Sequence, residues 1–143
     1  MTDKERQEAK IALNHVYNRL KNEGFLADGV IADYLEKGSP SYGAVEASAW
    51  GNDGRVDRED MMTEVLLSYL EKRTDKEISE AGEALIFAHD VMDKAGYDAI
   101  SQLVGYLLSG DEVYISNREK ARSRIRRIDL HDLMMELVTS YFK

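Results

Sequence analysis

The stretch GFLADGVIADYLEKGSPSY, residues 24–42, returns 72 residues later as GYDAISQLVGYLLSGDEVY, residues 96–114. The same shift aligns residues 12–71 with residues 84–143 without a gap, and 16 of the 60 aligned positions are identical. Two amphipathic helical chains would match by chance mainly at apolar positions, whereas these matches include glycines, tyrosines and acids. Examples are Gly24/Gly96, Tyr34/Tyr106, Gly38/Gly110, Tyr42/Tyr114, Asp57/Asp129, Asp60/Asp132, Glu64/Glu136 and Tyr69/Tyr141. We infer a duplication, with one unit at residues 1–72 and the other at residues 73–143.

Each unit has the pattern of amphipathic helices. Apolar residues recur at spacings of three and four over residues 4–22, 27–37 and 57–73, and the chain has one proline, Pro40. Gly38 and Gly110 are expected to end the second helix of their units, and Asp57 and Asp129 to cap the last one. The sequence therefore predicts an all-α fold, with an irregular stretch before the last helix of each unit.

Composition restricts the classes of function. The chain has no cysteine, its three histidines are scattered, and its net charge is −8. We therefore expect no cofactor and no metal site, and the charge makes nucleic acid an unfavourable partner. Neither a signal peptide nor an apolar run of about 20 residues is recognisable, which favours a cytoplasmic protein without a membrane span. No glycine-rich phosphate loop or activated nucleophile can be assembled, so we expect no catalysis.

The sequence GNDGRVDRED, residues 51–60, resembles the second half of a calcium-binding EF-hand loop. Such a loop needs oxygen ligands at its first and third positions when glycine is the sixth. With Gly54 as the sixth, those positions hold Ala49 and Gly51, which have no side-chain oxygen. We therefore interpret the stretch as a turn that leads into a helix.

Residues 118–127, REKARSRIRR, depart most from the average composition and are called the basic segment below. They hold six basic residues and one acid, Glu119. Clustered guanidinium groups suit an acidic protein partner or a phosphate. An alternative function is therefore a binding module for nucleic acid or a phosphorylated ligand.

The repeat helps to divide the basic segment into structural and functional residues. Trp50 and Gly54 occupy the positions of Arg122 and Arg126 in the first unit, although a contact that the fold needs should occur in both. Replacing both arginines with alanine is therefore expected to leave the melting temperature nearly unchanged and to weaken partner binding. Arg127 is matched by Arg55 and is assigned to structure. The predicted partner-binding residues are Arg118, Arg122, Arg124 and Arg126.

The second unit resembles the IreB/ReoM family of small regulatory phosphoproteins from Gram-positive bacteria. The resemblance covers residues 95–142 and rests on QLVGYLLSGD (102–111), on Tyr114-Ile115, on Ala121-Arg122, and on IRR (125–127). It continues at ELV (136–138) and Tyr141. The first unit resembles the family only through the second.

The resemblance implies a helical fold that pairs as a homodimer. Two fused units would then form an intramolecular pseudo-dimer, which makes a monomer the expected state. It also implies a non-enzymatic protein that a membrane Ser/Thr kinase phosphorylates, and that adjusts cell-envelope (peptidoglycan) synthesis and cephalosporin tolerance through protein contacts. Family members carry the regulatory threonine in an N-terminal segment that is hard to recognise here. The candidate phosphorylation sites are Thr2 and Thr74, and the expected partners are an acidic protein and a Ser/Thr kinase.

Overall fold

The computed structural model describes residues 1–38, 56–73 and 78–143, and within these ranges the chain is helical with no β-strand. The all-α prediction is confirmed. The first half contributes α1 (Asp3–Asn22), α2 (Ala27–Lys37) and α3 (Arg58–Glu71). The second half contributes α4 (Glu80–Lys94), α5 (Ala99–Ser109), α6 (Ala121–Arg126) and α7 (Leu130–Tyr141). Two short 3-10 turns, Glu112–Tyr114 and Arg118–Lys120, lie between α5 and α6.

The helices end where turn chemistry requires it. Gly38 and Gly110 follow α2 and α5 with φ of +82° and +74°, a left-handed conformation that favours glycine. Asp57 and Asp129 accept hydrogen bonds from backbone N–H groups in the first turns of α3 and α7. The predicted helix ends are therefore confirmed at these residues.

The irregular stretch predicted before α7 contains a helix that the sequence did not suggest. Glu119 and Lys120 both have positive φ, +50° and +64°, although neither is glycine. This kink lies in the last two residues of the second 3-10 turn, directly before α6. The equivalent stretch of the first half, with Pro40, Tyr42, Trp50, Arg55 and the calcium-like sequence up to residue 55, lies outside the described residues.

Helices from both halves share one hydrophobic core. The second helix of each half packs against the last helix of the other half, α2 on α7 and α5 on α3. The first helices pack on the last helices of their own halves, α1 on α3 and α4 on α7. Such crossed packing supports the predicted pseudo-dimer and its two units, which remain predictions. None of the helices in the described ranges is long and apolar enough to span a membrane.

Two tyrosine–glutamate hydrogen bonds connect the halves. The Tyr69 hydroxyl donates to Glu136 over 2.7 Å, and the Tyr141 hydroxyl donates to Glu64 over 2.9 Å. Burial, together with the accepting carboxylate, raises the pKa of both tyrosines. The four residues are two pairs of repeat equivalents, so each half supplies the donor for the glutamate of the other.

Glu64 has a second partner in the first half. It is 1% exposed and also accepts a hydrogen bond from Nε of Arg6 in α1. The same guanidinium donates two hydrogen bonds to Glu71, whose side chain is 59% exposed. The hydrogen bonds to Glu71 and Glu64 raise the pKa of Arg6 above its usual value. Glu64 is thus a buried carboxylate held by one cation and one hydroxyl.

Candidate partner-binding surface

The basic segment is attached to the fold through α6. Ala121 and Ile125, one helical turn apart, are fully buried, and α6 packs against α4. Arg124 and Arg126 are exposed, whereas Arg122 is half-buried. The attachment therefore places the predicted partner-binding residues at one edge of α4.

Arg122 is tied to the backbone of the preceding turn. Its Nε donates a 2.8 Å hydrogen bond to the carbonyl oxygen of Ile115, a fully buried residue. Because Arg122 is itself half-buried, this contact fixes the path of the chain between α5 and α6. The structure thus gives Arg122 a supporting contact, in addition to any role in recognition.

Arg126 makes an ion pair that is easily replaced. Its Nη1 lies 3.1 and 3.2 Å from the two carboxylate oxygens of Glu112. Both side chains are exposed by about half, 58% and 43%, and such pairs contribute only about 0–1 kcal/mol. Arg126 can therefore change partners at little cost.

These contacts predict losses of stability of different size for two alanine substitutions. Arg122→Ala should lower the free energy of unfolding by about 1–2 kcal/mol, because a buried carbonyl loses its donor. Arg126→Ala should lower it by less than about 1 kcal/mol. Urea denaturation followed by circular dichroism measures both values. The sequence predicted that replacing both arginines would leave the melting temperature nearly unchanged, whereas these contacts predict a loss of stability from Arg122→Ala. Equal effects of the two variants would contradict the different roles of Arg122 and Arg126.

Arg124 covers an aromatic ring. Its guanidinium carbon lies 4.6 Å from the ring centroid of Phe87 in α4, and Nη2 lies 3.7 Å from a carboxylate oxygen of Glu83. Arg124 and Glu83 are 45% and 58% exposed. A cation over an aromatic ring at an exposed site contributes about 0.5–1 kcal/mol. The contact by which Arg124 covers the Phe87 ring is therefore weak.

The remaining three cations of the basic segment, Arg118, Lys120 and Arg127, are exposed. Within the described ranges, none of them has a carboxylate oxygen within 4.0 Å. Lys120 was not among the predicted binding residues, and Arg127 was assigned to structure. The sequence alone could not distinguish Lys120 and Arg127 from Arg126, because only the fold brings Glu112 next to Arg126.

Two adjacent cavities lie along α4 beside the basic segment. One has a volume of about 350 Å³, and its lining includes Ala84, Phe87 and Ile128 together with three cations of the segment, Lys120, Arg124 and Arg127. The other has a volume of about 260 Å³ and is lined by Ile78, Ile86 and Phe87. Glu83, Phe87 and Arg124 border both. We call the two cavities together the α4 groove.

Of the two candidate phosphorylation sites, Thr2 is the N-cap of α1. The Thr2 hydroxyl accepts a hydrogen bond from the Glu5 N–H, while the Glu5 carboxylate accepts one from the Thr2 N–H. This reciprocal cap starts α1 on an exposed surface. Thr74 lies outside the described residues. Within the described ranges no three His, Cys, Asp or Glu residues cluster as a metal site.

Comparison with family models identifies the second half of the chain. The family model described as IreB regulatory phosphoprotein matches residues 72–143, half of the chain. This range includes α4 to α7, the basic segment and the α4 groove. No solved structure matches the chain.

Proposed function

The chain belongs to the IreB family of regulatory phosphoproteins, and on that premise we propose that it is a non-catalytic regulator which acts by binding protein partners through the basic segment. We further propose that it acts in the cytoplasm, under a Ser/Thr kinase, in the control of cell-envelope synthesis and cephalosporin tolerance. The family match supports the regulatory role. The particular pathway rests on the family resemblance alone.

One observation carries the choice of surface. Arg118, Lys120 and Arg127 are exposed and have no carboxylate oxygen of the described residues within 4.0 Å, on a chain whose net charge is −8. The uncompensated positive charge would attract an acidic protein surface and repel basic ones. Arg126 is held by an exposed ion pair, and Arg124 by an exposed ion pair and a weak contact with Phe87, so both can join such an interface. The proposed partner is thus an acidic protein.

Charge reversal provides the test. The double variant Lys120→Glu/Arg127→Glu should reduce recovery of the native partners at least tenfold, because two attractive charges become repulsive. Tagged protein expressed in its native cells, followed by quantitative mass spectrometry, measures this recovery. The helical content should remain unchanged, since both side chains are exposed.

A matched control separates this effect from overall charge. Lys4→Glu/Lys10→Glu changes the net charge by the same amount on α1, where both lysines are exposed. This control should recover the same partners as the unmodified protein. If both double variants lose the partners equally, or if neither does, the basic segment is not the recognition surface.

Phosphorylation at Thr2 or Thr74 is part of the proposal. A phosphate on Thr2 would lie at the N-terminus of α1, where the helix dipole favours negative charge, but it would also lie beside Glu5. We therefore expect phosphorylation there to loosen the first turn rather than to stabilise it. Phosphopeptide mapping of the protein from its native cells, with and without Thr2→Val, identifies the modified residue. A phosphopeptide that contains neither threonine would contradict this assignment.

A further inference from the structure

The α4 groove combines an apolar floor with a basic wall. Ala84, Phe87 and Ile128 line the larger cavity, and Ile78 and Ile86 extend the apolar surface along the smaller one. Lys120, Arg124 and Arg127 line the larger cavity from the side of the basic segment. Arginine and aromatic residues are both enriched at protein interfaces. The groove therefore has the composition of a peptide-docking site.

Arg124 divides the groove and can leave its position. It lies between the two cavities and is held there by Phe87 and Glu83 alone among its described charged and aromatic contacts. Both contacts are of the weak, exposed kind. A carboxylate from a partner could replace Glu83 as the ion pair of Arg124. The Phe87 ring would then become accessible to an apolar side chain.

The acids around the groove do not cancel its basic wall. Three acids, Glu80, Glu83 and Glu119, also line the larger cavity and equal its three cations in number. Glu80 and Glu83 lie in the first turn of α4. There the partial positive charge of the helix N-terminus offsets part of their negative charge. Asp90, at the smaller cavity, is paired with Arg73 and His89. Lys120 and Arg127 have no carboxylate oxygen within 4.0 Å in the described ranges, so an acidic ligand can pair with them.

The backbone holds Lys120 at the groove against its own preference. Glu119 and Lys120 adopt left-handed conformations, which cost roughly 1–2 kcal/mol for each residue other than glycine. Such strained conformations persist where surrounding packing enforces them, and here Ala121 and Ile125 are buried directly after the kink. The strain is therefore compensated by the packing that places the basic wall.

The apolar floor is confined to the second half of the chain. In the repeat register, Asn14 and His15 of α1 stand where α4 has Ile86 and Phe87. A polar amide and an imidazole at these places would not form the same apolar surface. One groove of this kind per chain is expected.

We propose that the α4 groove binds an acidic peptide segment of a partner protein by receiving one apolar side chain beside Phe87, while Arg124 transfers its ion pair from Glu83 to the peptide. This inference rests on the proposed function, since it specifies the partner chemistry of the same surface. It requires two kinds of contact at once, acidic groups on Lys120, Arg124 and Arg127 and an apolar group on Phe87.

The test uses the full chain and defined peptides. The probe is a fluorescein-labelled peptide of about twelve residues, all Glu and Asp except for one central Phe. The control peptide is identical except that Gly replaces the Phe. Fluorescence anisotropy in about 0.15 M salt should show saturable binding of the Phe peptide. The Gly peptide should bind at least tenfold more weakly, because it lacks the side chain that covers Phe87.

Protein variants locate the binding site. Lys120→Glu/Arg127→Glu and, separately, Ser123→Glu should each weaken binding of the Phe peptide at least tenfold, since Ser123 lines the larger cavity. The control Lys4→Glu/Lys10→Glu should bind it as the unmodified protein does. Circular dichroism of Ser123→Glu verifies its fold, and the exposed double variant provides the second, independent test if Ser123→Glu fails to fold.

The outcomes separate this inference from the proposed function. Equal affinity for the Phe and Gly peptides, or no binding of either, would overturn the apolar docking site. So would equally tight binding of a single-stranded oligonucleotide of the same charge, which would indicate a general polyanion surface. If the basic-segment variant still loses its native partners in those cases, the proposed function stands without the groove. Partner recovery that is insensitive to the variant would instead remove the proposed function itself.

Discussion

Glu64→Ala is expected to lower the free energy of unfolding by about 3–5 kcal/mol. Glu64 is 1% exposed and accepts hydrogen bonds from Arg6 and Tyr141. Removing its carboxylate leaves a partly buried guanidinium without its inner partner and a half-buried hydroxyl without an acceptor. Breaking one side of a buried ion pair has a cost of this size, because the other side stays desolvated. Urea denaturation of the full chain, followed by circular dichroism, measures the change.

Glu71→Ala is the matched control. Glu71 accepts two hydrogen bonds from the same Arg6 guanidinium, but its side chain is 59% exposed. That substitution should cost less than about 1 kcal/mol, since water replaces the lost contacts. Equal effects of Glu64→Ala and Glu71→Ala would show that the burial of Glu64 contributes little.

Gly82→Ala is expected to destabilise the protein by about 1–3 kcal/mol, although alanine is normally the better helix former by about 1 kcal/mol. A Cβ atom at Gly82 would lie 2.0 Å from the hydroxyl oxygen of Tyr69. That hydroxyl is fixed by its hydrogen bond to Glu136, and the Tyr69 ring is 1% exposed. The tyrosine would have to move, and the hydrogen bond between the halves would be disturbed.

Gly29→Ala is the control for helix propensity. Gly29 lies in α2, and a Cβ atom there would meet nothing within 4 Å. This substitution should stabilise the protein by about 0.5–1 kcal/mol, because alanine loses less backbone entropy than glycine on folding. The two changes are chemically identical, so opposite shifts in the urea midpoint isolate the contact with Tyr69. A gain of stability in both variants would mean that Tyr69 relaxes freely.

Much of the helix pattern could be predicted from local sequence. Gly38 and Gly110 end helices, and Asp57 and Asp129 begin them, because these residues satisfy local backbone requirements. The kink at Glu119 and Lys120 could not be predicted in this way, since neither residue favours a left-handed conformation. Tertiary packing of the residues that follow imposes it.

The contacts of the basic segment were only partly predictable. Its charge is evident in the sequence, but Arg122 binds a backbone carbonyl and Arg124 covers Phe87, which is 37 positions away. A carbonyl acceptor leaves no signal in the side-chain pattern. The repeat register also identified Glu64/Glu136 and Tyr69/Tyr141 as matched, yet it could not show that each tyrosine bonds the glutamate of the opposite half.

The crossed packing of α2 on α7 and of α5 on α3 has a consequence for dilution. Two separate chains that exchanged such helices would dissociate at low concentration, because association between molecules depends on the concentration of each. Here the helices that cross belong to one polypeptide, so the chain holds them at an effective molarity that its abundance does not change. The unfolding midpoint should accordingly be the same at nanomolar and micromolar protein. In the cell, the number of correctly packed molecules then rises in direct proportion to the number of chains made.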